Sequence, residues 1–287
     1  MIDFCHISPT AYLSGFTHSN GAHLLLAHLV EEDEQYRNYY AELDDGKYKI
    51  MDNSAFEMYK QGKPMYDPSK LIDMGQKVQA DMIVMSDYPG DEAMETIEAA
   101  TIQAPVFKKH GFKTFFVPQS KIGDYEDYMY GMKWALDSEH VDRIGLSILG
   151  CPNAFGVENN NNLQRYLSRW KILSDMEERG WLDSDNAYKK FHCLGMVDGP
   201  NEIELLWPYA NNIATWDSSA AVWAGLNGIK FDNSPTGLIN GKFEKEVDFG
   251  MDSSLEVDIV KDVMYNIEYI NKLCAGERPN DNSIQEK

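Results

Sequence analysis

Apolar segments that each run into a polar residue recur along this chain, and they constrain its fold more than any other feature. Lys49-Ile50-Met51 runs into Asp52, Met82-Ile83-Val84-Met85-Ser86 into Asp87, Thr114-Phe115-Phe116-Val117-Pro118 into Gln119, and Ile213-Ala214-Thr215-Trp216 into Asp217. Gly145-Leu146-Ser147-Ile148-Leu149-Gly150 follows Arg143 in the same way. A polar side chain where a buried strand meets a loop is anchored by the scaffold yet open to a ligand. Its repetition in order predicts a fold in which successive strand ends meet at one place.

The β-rich runs fall at Asp3–Ile7, Tyr48–Met51, Met82–Ser86, Thr114–Val117, Ile144–Ile148, Phe191–Leu194, Ile213–Thr215 and Gly228–Phe231. Helical stretches fall at Gly21–Leu43, Pro68–Val78, Glu92–His110, Tyr125–Asp137, Leu163–Arg179, Ile203–Tyr209 and Leu255–Leu273, the last with Leu255, Ile259, Val263 and Ile267 at helical spacing. Eight strands alternating with helices predict an α/β fold of the (β/α)8 TIM type, and 287 residues suit it as a single domain. The barrel is expected over residues 1–275, and the polar segment 276–287 as a disordered tail.

Charge narrows the choice of partner. Lys and Arg total 26 against 46 Asp and Glu, a net charge of −20, which opposes non-specific attachment to nucleic acid or anionic membrane. A polyanion would therefore need a local basic patch. The best cluster is Arg165, Arg169 and Lys171 on the Leu163–Arg179 helix, with Lys108, Lys109, Lys189 and Lys190 as supplements. No apolar run approaches the roughly 18 residues of a membrane span, and Met1-Ile2-Asp3-Phe4-Cys5-His6 has no basic segment before an apolar one, so export is not expected. Cys5, Cys151, Cys193 and Cys274 lack zinc-site spacing and fit reduced thiols in a cytoplasm, so neither a metal nor a membrane partner is expected.

In a parallel barrel, Asp52, Asp87, Gln119, the Gly145-Leu146 turn, Met196 and Asp217 would border one pocket. Carboxylates, a carboxamide, Phe56 and Met196 suit a flat heteroaromatic ligand, its ring between Phe56 and Met196 and its polar edges read by Asp87 and Gln119. Plainer roles compete. The aspartates can cap helices or open turns, Gln119 can open a loop, Phe56 and Met196 can fill core, and Arg165 and Arg169 can form a solvated helix face. His6, His192 and Cys193 read as packed core residues.

These segments resemble the tRNA-guanine transglycosylase family, barrel enzymes that exchange guanine for a 7-deazaguanine base. Asp52-Asn53-Ser54-Ala55-Phe56-Glu57 is similar to the family's Asp-Ser-Gly-Gly-Phe/Tyr-Gln motif, and Asp87 to the strand-end aspartate that reads guanine. Gln119 is similar to its glutamine in a Val-Gln context, and Gly145 to Gly150 to its Gly-Leu-Ala-Val-Gly turn. Leu194-Gly195-Met196-Val197-Asp198-Gly199-Pro200 resembles its Leu-Met-Gly-Val-Gly segment, and Trp216-Asp217 the pair that carries its nucleophile. Ser54-Ala55 stands in place of Gly-Gly and Glu57 in place of Gln, and the family's Leu-Pro-Thr-Arg and Cys-x-Cys-x-x-Cys segments are absent.

The resemblance is therefore to the short branch without the zinc-binding subdomain, found in phages and bacteria, which places 7-deazaguanines such as preQ0 into DNA. It implies Asp217 as nucleophile, Asp52 as proton carrier, DNA and a free 7-deazaguanine base as partners, no cofactor, and a cytoplasmic setting, the host's if the chain is phage-encoded. A tRNA-directed transglycosylase, a deazaguanine nucleoside hydrolase and a non-catalytic partner subunit remain alternatives. A homodimer is open.

Overall fold

A computed structural model describes residues 1–182, 189–197, 199–232, 250–251 and 254–277. In chain order the elements are β1 (Asp3–His6), α1 (Leu13–Phe16), β2 (His23–Leu26), α2 (Ala27–Glu32), α3 (Glu34–Glu42), β3 (Lys49–Asp52), α4 (Ala55–Gln61), α5 (Pro68–Lys77) and β4 (Met82–Val84). Then follow α6 (Ala93–Lys109), β5 (Lys113–Phe116), α7 (Tyr125–Asp137), β6 (Arg143–Ser147), α8 (Gly150–Ala154), α9 (Asn162–Glu178), β7 (Phe191–Leu194), α10 (Asn201–Leu206), β8 (Ile213–Ser218), α11 (Ala220–Leu226) and α12 (Val257–Cys274).

The eight strands form one all-parallel sheet in the order β1-β8-β7-β6-β5-β4-β3-β2, rolled into a nearly closed (β/α)8 barrel. Where β1 adjoins β2, the seam is held by the Gly21 N–H donating to Phe4 O at 2.9 Å and by Asn20, whose Oδ1 accepts from the His6 N–H at 3.0 Å. A Cβ on Gly21 would lie 2.8 Å from Asp3 Cα, so this close approach needs glycine.

Side chains alternate across the sheet with period two, and this parity orients the site. Leu24, Leu26, Ile50, Val84, Phe115 and Val117 fill the barrel interior, while Met51, Ile83, Phe116, Ile144 and Trp216 face the helices. Asp52 thus inherits the inward direction of Ile50. Gly145 also sits at an inward position, where a Cβ would meet the Phe115 ring at 2.6 Å and Leu194 at 2.9 Å.

The expected count of eight strands stands, but two memberships change. The stretch expected as one helix over Gly21–Leu43 is β2 followed by α2 and α3, with Asp33 capping α3 through a 3.0 Å bond from the Tyr36 N–H. A parallel strand covered on both faces is apolar without interruption, so Leu24-Leu25-Leu26 merged with the helix behind it. Gly228–Phe231 is not a strand. It follows α11 without regular structure and lies against α12, where the Phe231 N–H donates to Asn266 Oδ1 at 2.8 Å. Within the expected tail, residues 278–287 lie outside the described residues. Among the described residues no helix is long and apolar enough to cross a membrane.

Candidate active site

The C-terminal strand ends enclose a cavity of about 180 Å³ that is lined by Asp52, Phe56, Glu57, Asp87, Gln119 and Asp217, among others. Four of the polar strand ends singled out in the sequence are therefore brought together at one mouth.

Asp52 ends β3 and stays partly open to the cavity. Its Oδ2 accepts the Ser54 N–H at 3.0 Å, and Ser54 adopts the left-handed region, φ 56°, that turns the chain into α4. A serine there is strained. It is held by His28, whose N–H and Nδ1 lie 3.2 and 2.9 Å from Ser54 Oγ. Burial, then the charges of Glu57 and Asp217, push the Asp52 carboxyl well above the ordinary carboxylate range.

Asp87 follows β4 and is buried. Asn53 Nδ2 donates to its Oδ1 at 2.8 Å and Gln119 Nε2 to its Oδ2 at 2.6 Å. Both bonds favour the charged form, yet desolvation outweighs them and the group is pushed up to about 6. Asn53 is itself pinned, its amide donating to Met85 O at 2.7 Å and its Oδ1 accepting the Ala55 N–H at 2.9 Å. Gln119 turns its carboxamide nitrogen to Asp87, so its Oε1 is a buried acceptor without a hydrogen-bond partner among the described residues.

Asp217 lies near the end of β8, and its Oδ1 takes two bonds, from His192 Nε2 at 2.9 Å and from the Gly195 N–H at 3.3 Å. Gly195 is fixed from behind: its carbonyl accepts Arg169 Nη1 and Trp216 Nε1, each at 2.9 Å.

Other expected positions fall elsewhere. Gly145 and the fully buried Leu146 belong to the barrel wall, and Ser147, Ile148 and Leu149 face the cavity in their place. Met196 packs on the core between barrel and helices and does not line the cavity. The expected sandwich of a ring between Phe56 and Met196 therefore does not form. Phe56, 44% exposed, stands at the rim with Lys60 Nζ 5.0 Å from its ring centroid.

The expected surface row of Arg165, Arg169 and Lys171 is also not formed. Arg169 is 1% exposed, pairs with Glu202 at 2.9 Å and donates to the carbonyls of Leu146, Gly195 and Leu194. It is a clamp on the ends of β6 and β7. Arg165 is half-buried and donates to Ile148 O at 3.0 Å, and Lys171 donates to Gln164 Oε1 at 2.6 Å. An arginine with an internal carboxylate partner buries as readily as it solvates, and α9 gave no local sign of Glu202.

The sequence reading missed His192, Asn53 and Glu57. The signal for His192 lies in the pairing of β7 with β8, which sets His192 opposite Thr215 and Leu194 opposite Asp217. Asn53 and Glu57 stand in the Asp52–Glu57 segment, where Asn53 donates to Asp87 and Glu57 acts on Asp52 through its charge. The four cysteines are free and buried, and among the described residues no group of three or more His, Cys, Asp or Glu is placed to hold a metal ion.

No family model matches this chain, and no curated protein matches it. The resemblance to transglycosylases therefore has no support from these comparisons.

Proposed function

We propose that this chain exchanges guanine for a 7-deazaguanine base in DNA by double displacement. The observation that carries the reading is a pair of strand-end carboxylates on one cavity in unlike surroundings, Asp52 crowded by other acids and Asp217 supplied with two donors.

An Asp217 carboxylate oxygen attacks the sugar C1′ as the bond from C1′ to the base breaks, and the departing guanine takes the Asp52 proton. The incoming deazapurine returns a proton to Asp52, its ring nitrogen attacks C1′, and Asp217 is released. Protons and bonds balance over the cycle, and the configuration at C1′ is retained. Asp87, Asn53 and Gln119 supply the polar edge for the base, with the free Gln119 Oε1 ready to accept from a ring N–H or amino group. A nucleotide in a duplex must leave the stack to reach this cavity, and Phe56 at the rim offers a replacement surface with the Lys60 cation beside it.

The test is incorporation of labelled guanine or labelled preQ0 into DNA and tRNA side by side, with denaturing mass spectrometry for a sugar adduct on Asp217. Labelled DNA is the expected outcome. Label in tRNA alone assigns the chain to RNA modification, free base released without incorporation makes it a hydrolase, and absence of adduct and product makes it a binding partner.

A further inference from the structure

Beneath the cavity the barrel holds a polar column that the reaction as written does not use. His192 is fully buried on β7, its ring edge-on to Phe115 at 5.3 Å between centroids. Its Nε2 lies 2.9 Å from Asp217 Oδ1 and its Nδ1 lies 2.7 Å from Thr215 Oγ1. Arg143, from the start of β6, places Nη1 3.3 Å from the same Thr215 oxygen.

We infer that Arg143, Thr215 and His192 form a one-way hydrogen-bond chain that makes His192 the positioning residue of Asp217, holding Oδ1 and leaving Oδ2 as the attacking oxygen. The direction follows from what each group can do. Arginine only donates, so Thr215 Oγ1 accepts from below and its hydroxyl proton is free to point at His192 Nδ1. A carboxylate only accepts, so His192 must carry its proton on Nε2. The carboxylate end selects this neutral tautomer, and the arginine end is compatible with it because Thr215 keeps its hydroxyl proton for Nδ1.

Burial lowers the proton affinity of the imidazole, outweighing the hydrogen bond and charge of Asp217 that raise it, and the Arg143 and Arg169 charges add to the lowering, which opposes a second proton on Nδ1. The Gly195 N–H fixes Oδ1 from a second direction, and Gly195 is locked through Arg169 and Trp216. The two donors restrict rotation of the carboxylate, so the oxygen without them meets C1′ in one orientation. When the sugar ester forms, Oδ1 becomes its carbonyl oxygen and still accepts both bonds. When the ester breaks, charge returning to Oδ1 meets the same donors without reorganisation.

This role rests on the base-exchange reading, but its geometry is testable apart from it. Nitrogen NMR of histidine-labelled protein, with the His192 signal assigned by its loss in His192→Gln, should show a neutral ring protonated at Nε2 at neutral pH. Thr215→Val, nearly isosteric, removes the hydroxyl that Nδ1 accepts from and should shift the Nδ1 resonance toward that of an unbonded imine nitrogen, while Nε2 keeps its proton and the melting transition is retained. In base exchange, His192→Leu should lower kcat roughly 10²-fold with little change in KM for the free base. His192→Gln, which keeps an N–H donor, should recover part of that loss, and Thr215→Val should cost a smaller factor.

A ring protonated at Nδ1 or on both nitrogens in the wild type overturns the chain. So does a Thr215→Val protein whose His192 Nδ1 resonance is unchanged. Normal kcat in His192→Leu overturns the positioning role. If the wild type exchanges no base, the base-exchange reading fails by itself, and the NMR arm still decides the hydrogen-bond chain.

Discussion

Asp52 and Asp217 stand at equivalent places, each near the C-terminal end of a barrel strand and each lining the same cavity, yet β3 and β8 surround them differently. Asp52 takes its backbone hydrogen bond from within its own loop, at Ser54, and is otherwise met by burial and by the charges of Glu57, Asp217 and Asp87. Asp217 draws both donors from β7 and the loop after it, His192 and Gly195. The first setting retains a proton, whereas the second orients an acceptor. Under the base-exchange reading, one scaffold thus gives acid and nucleophile roles to two identical side chains by what it packs beside them.

The severest test of this contrast is Asp217→Asn. If Asp217 is the nucleophile, exchange should fall by about 10⁴-fold with the covalent adduct absent and the melting transition intact. An adduct trapped in that variant would assign attack to another residue.

Next comes the support behind Asp217. Arg169→Met strips Glu202 of its buried ion pair and removes the guanidinium bonds to the Leu146, Leu194 and Gly195 carbonyls, so denaturant unfolding should register a loss of about 3–5 kcal/mol. Arg165→Glu should leave stability nearly unchanged and weaken DNA binding in a salt-dependent titration. Equal effects of the two would erase the distinction between the clamp and its half-buried neighbour.

Asp52→Asn should slow both half-reactions by about 10²-fold to 10³-fold. Because the folded Asp52 carboxyl is raised, the proton it delivers is present at low pH and lost as pH rises through the folded value. The wild-type rate should therefore decline on its alkaline side, and that limb should vanish in Asp52→Asn. A pH profile identical in both proteins would remove Asp52 from proton transfer.

Asp87 tests the same wall through stability. Between the ordinary 3.8 and about 6 the folded protein holds the Asp87 proton and the unfolded chain does not. This contribution is complete below the unfolded value and disappears as pH rises through about 6, a span worth on the order of 3 kcal/mol. The melting temperature of the wild type relative to Asp87→Asn should accordingly increase as pH is lowered across that window. A flat difference would mean that Asn53 and Gln119 hold Asp87 ionised throughout.

The smallest expected change is in Glu57→Gln. Removing one neighbouring charge should move the alkaline limb of the rate profile to lower pH by less than about one unit, with maximal rate preserved. An unmoved limb would leave burial and the charges of Asp217 and Asp87 as the causes of the raised Asp52 carboxyl.

The barrel class, and the meeting of Asp52, Asp87, Gln119 and Asp217 at one mouth, were legible in the residues alone. Side-chain parity within a strand is local, and parallel strands bring like ends together, so a polar residue at the end of an apolar run is directed before any tertiary contact is known. Local pattern could not separate β2 from the helix that follows it, because a strand buried on both faces loses the alternation that identifies it.

The packed structure also decided which long side chains turn inward. Arg169 is internal because Glu202 and three carbonyls await it, Met196 faces the core instead of the ligand, and Phe56 holds the rim. Above all, the packing decided the unlike company of Asp52 and Asp217. Hydrogen-bond partners across strands depend on register between segments far apart in the chain, and a carboxylate's proton affinity depends on everything that displaces water around it. Neither quantity exists until the barrel closes.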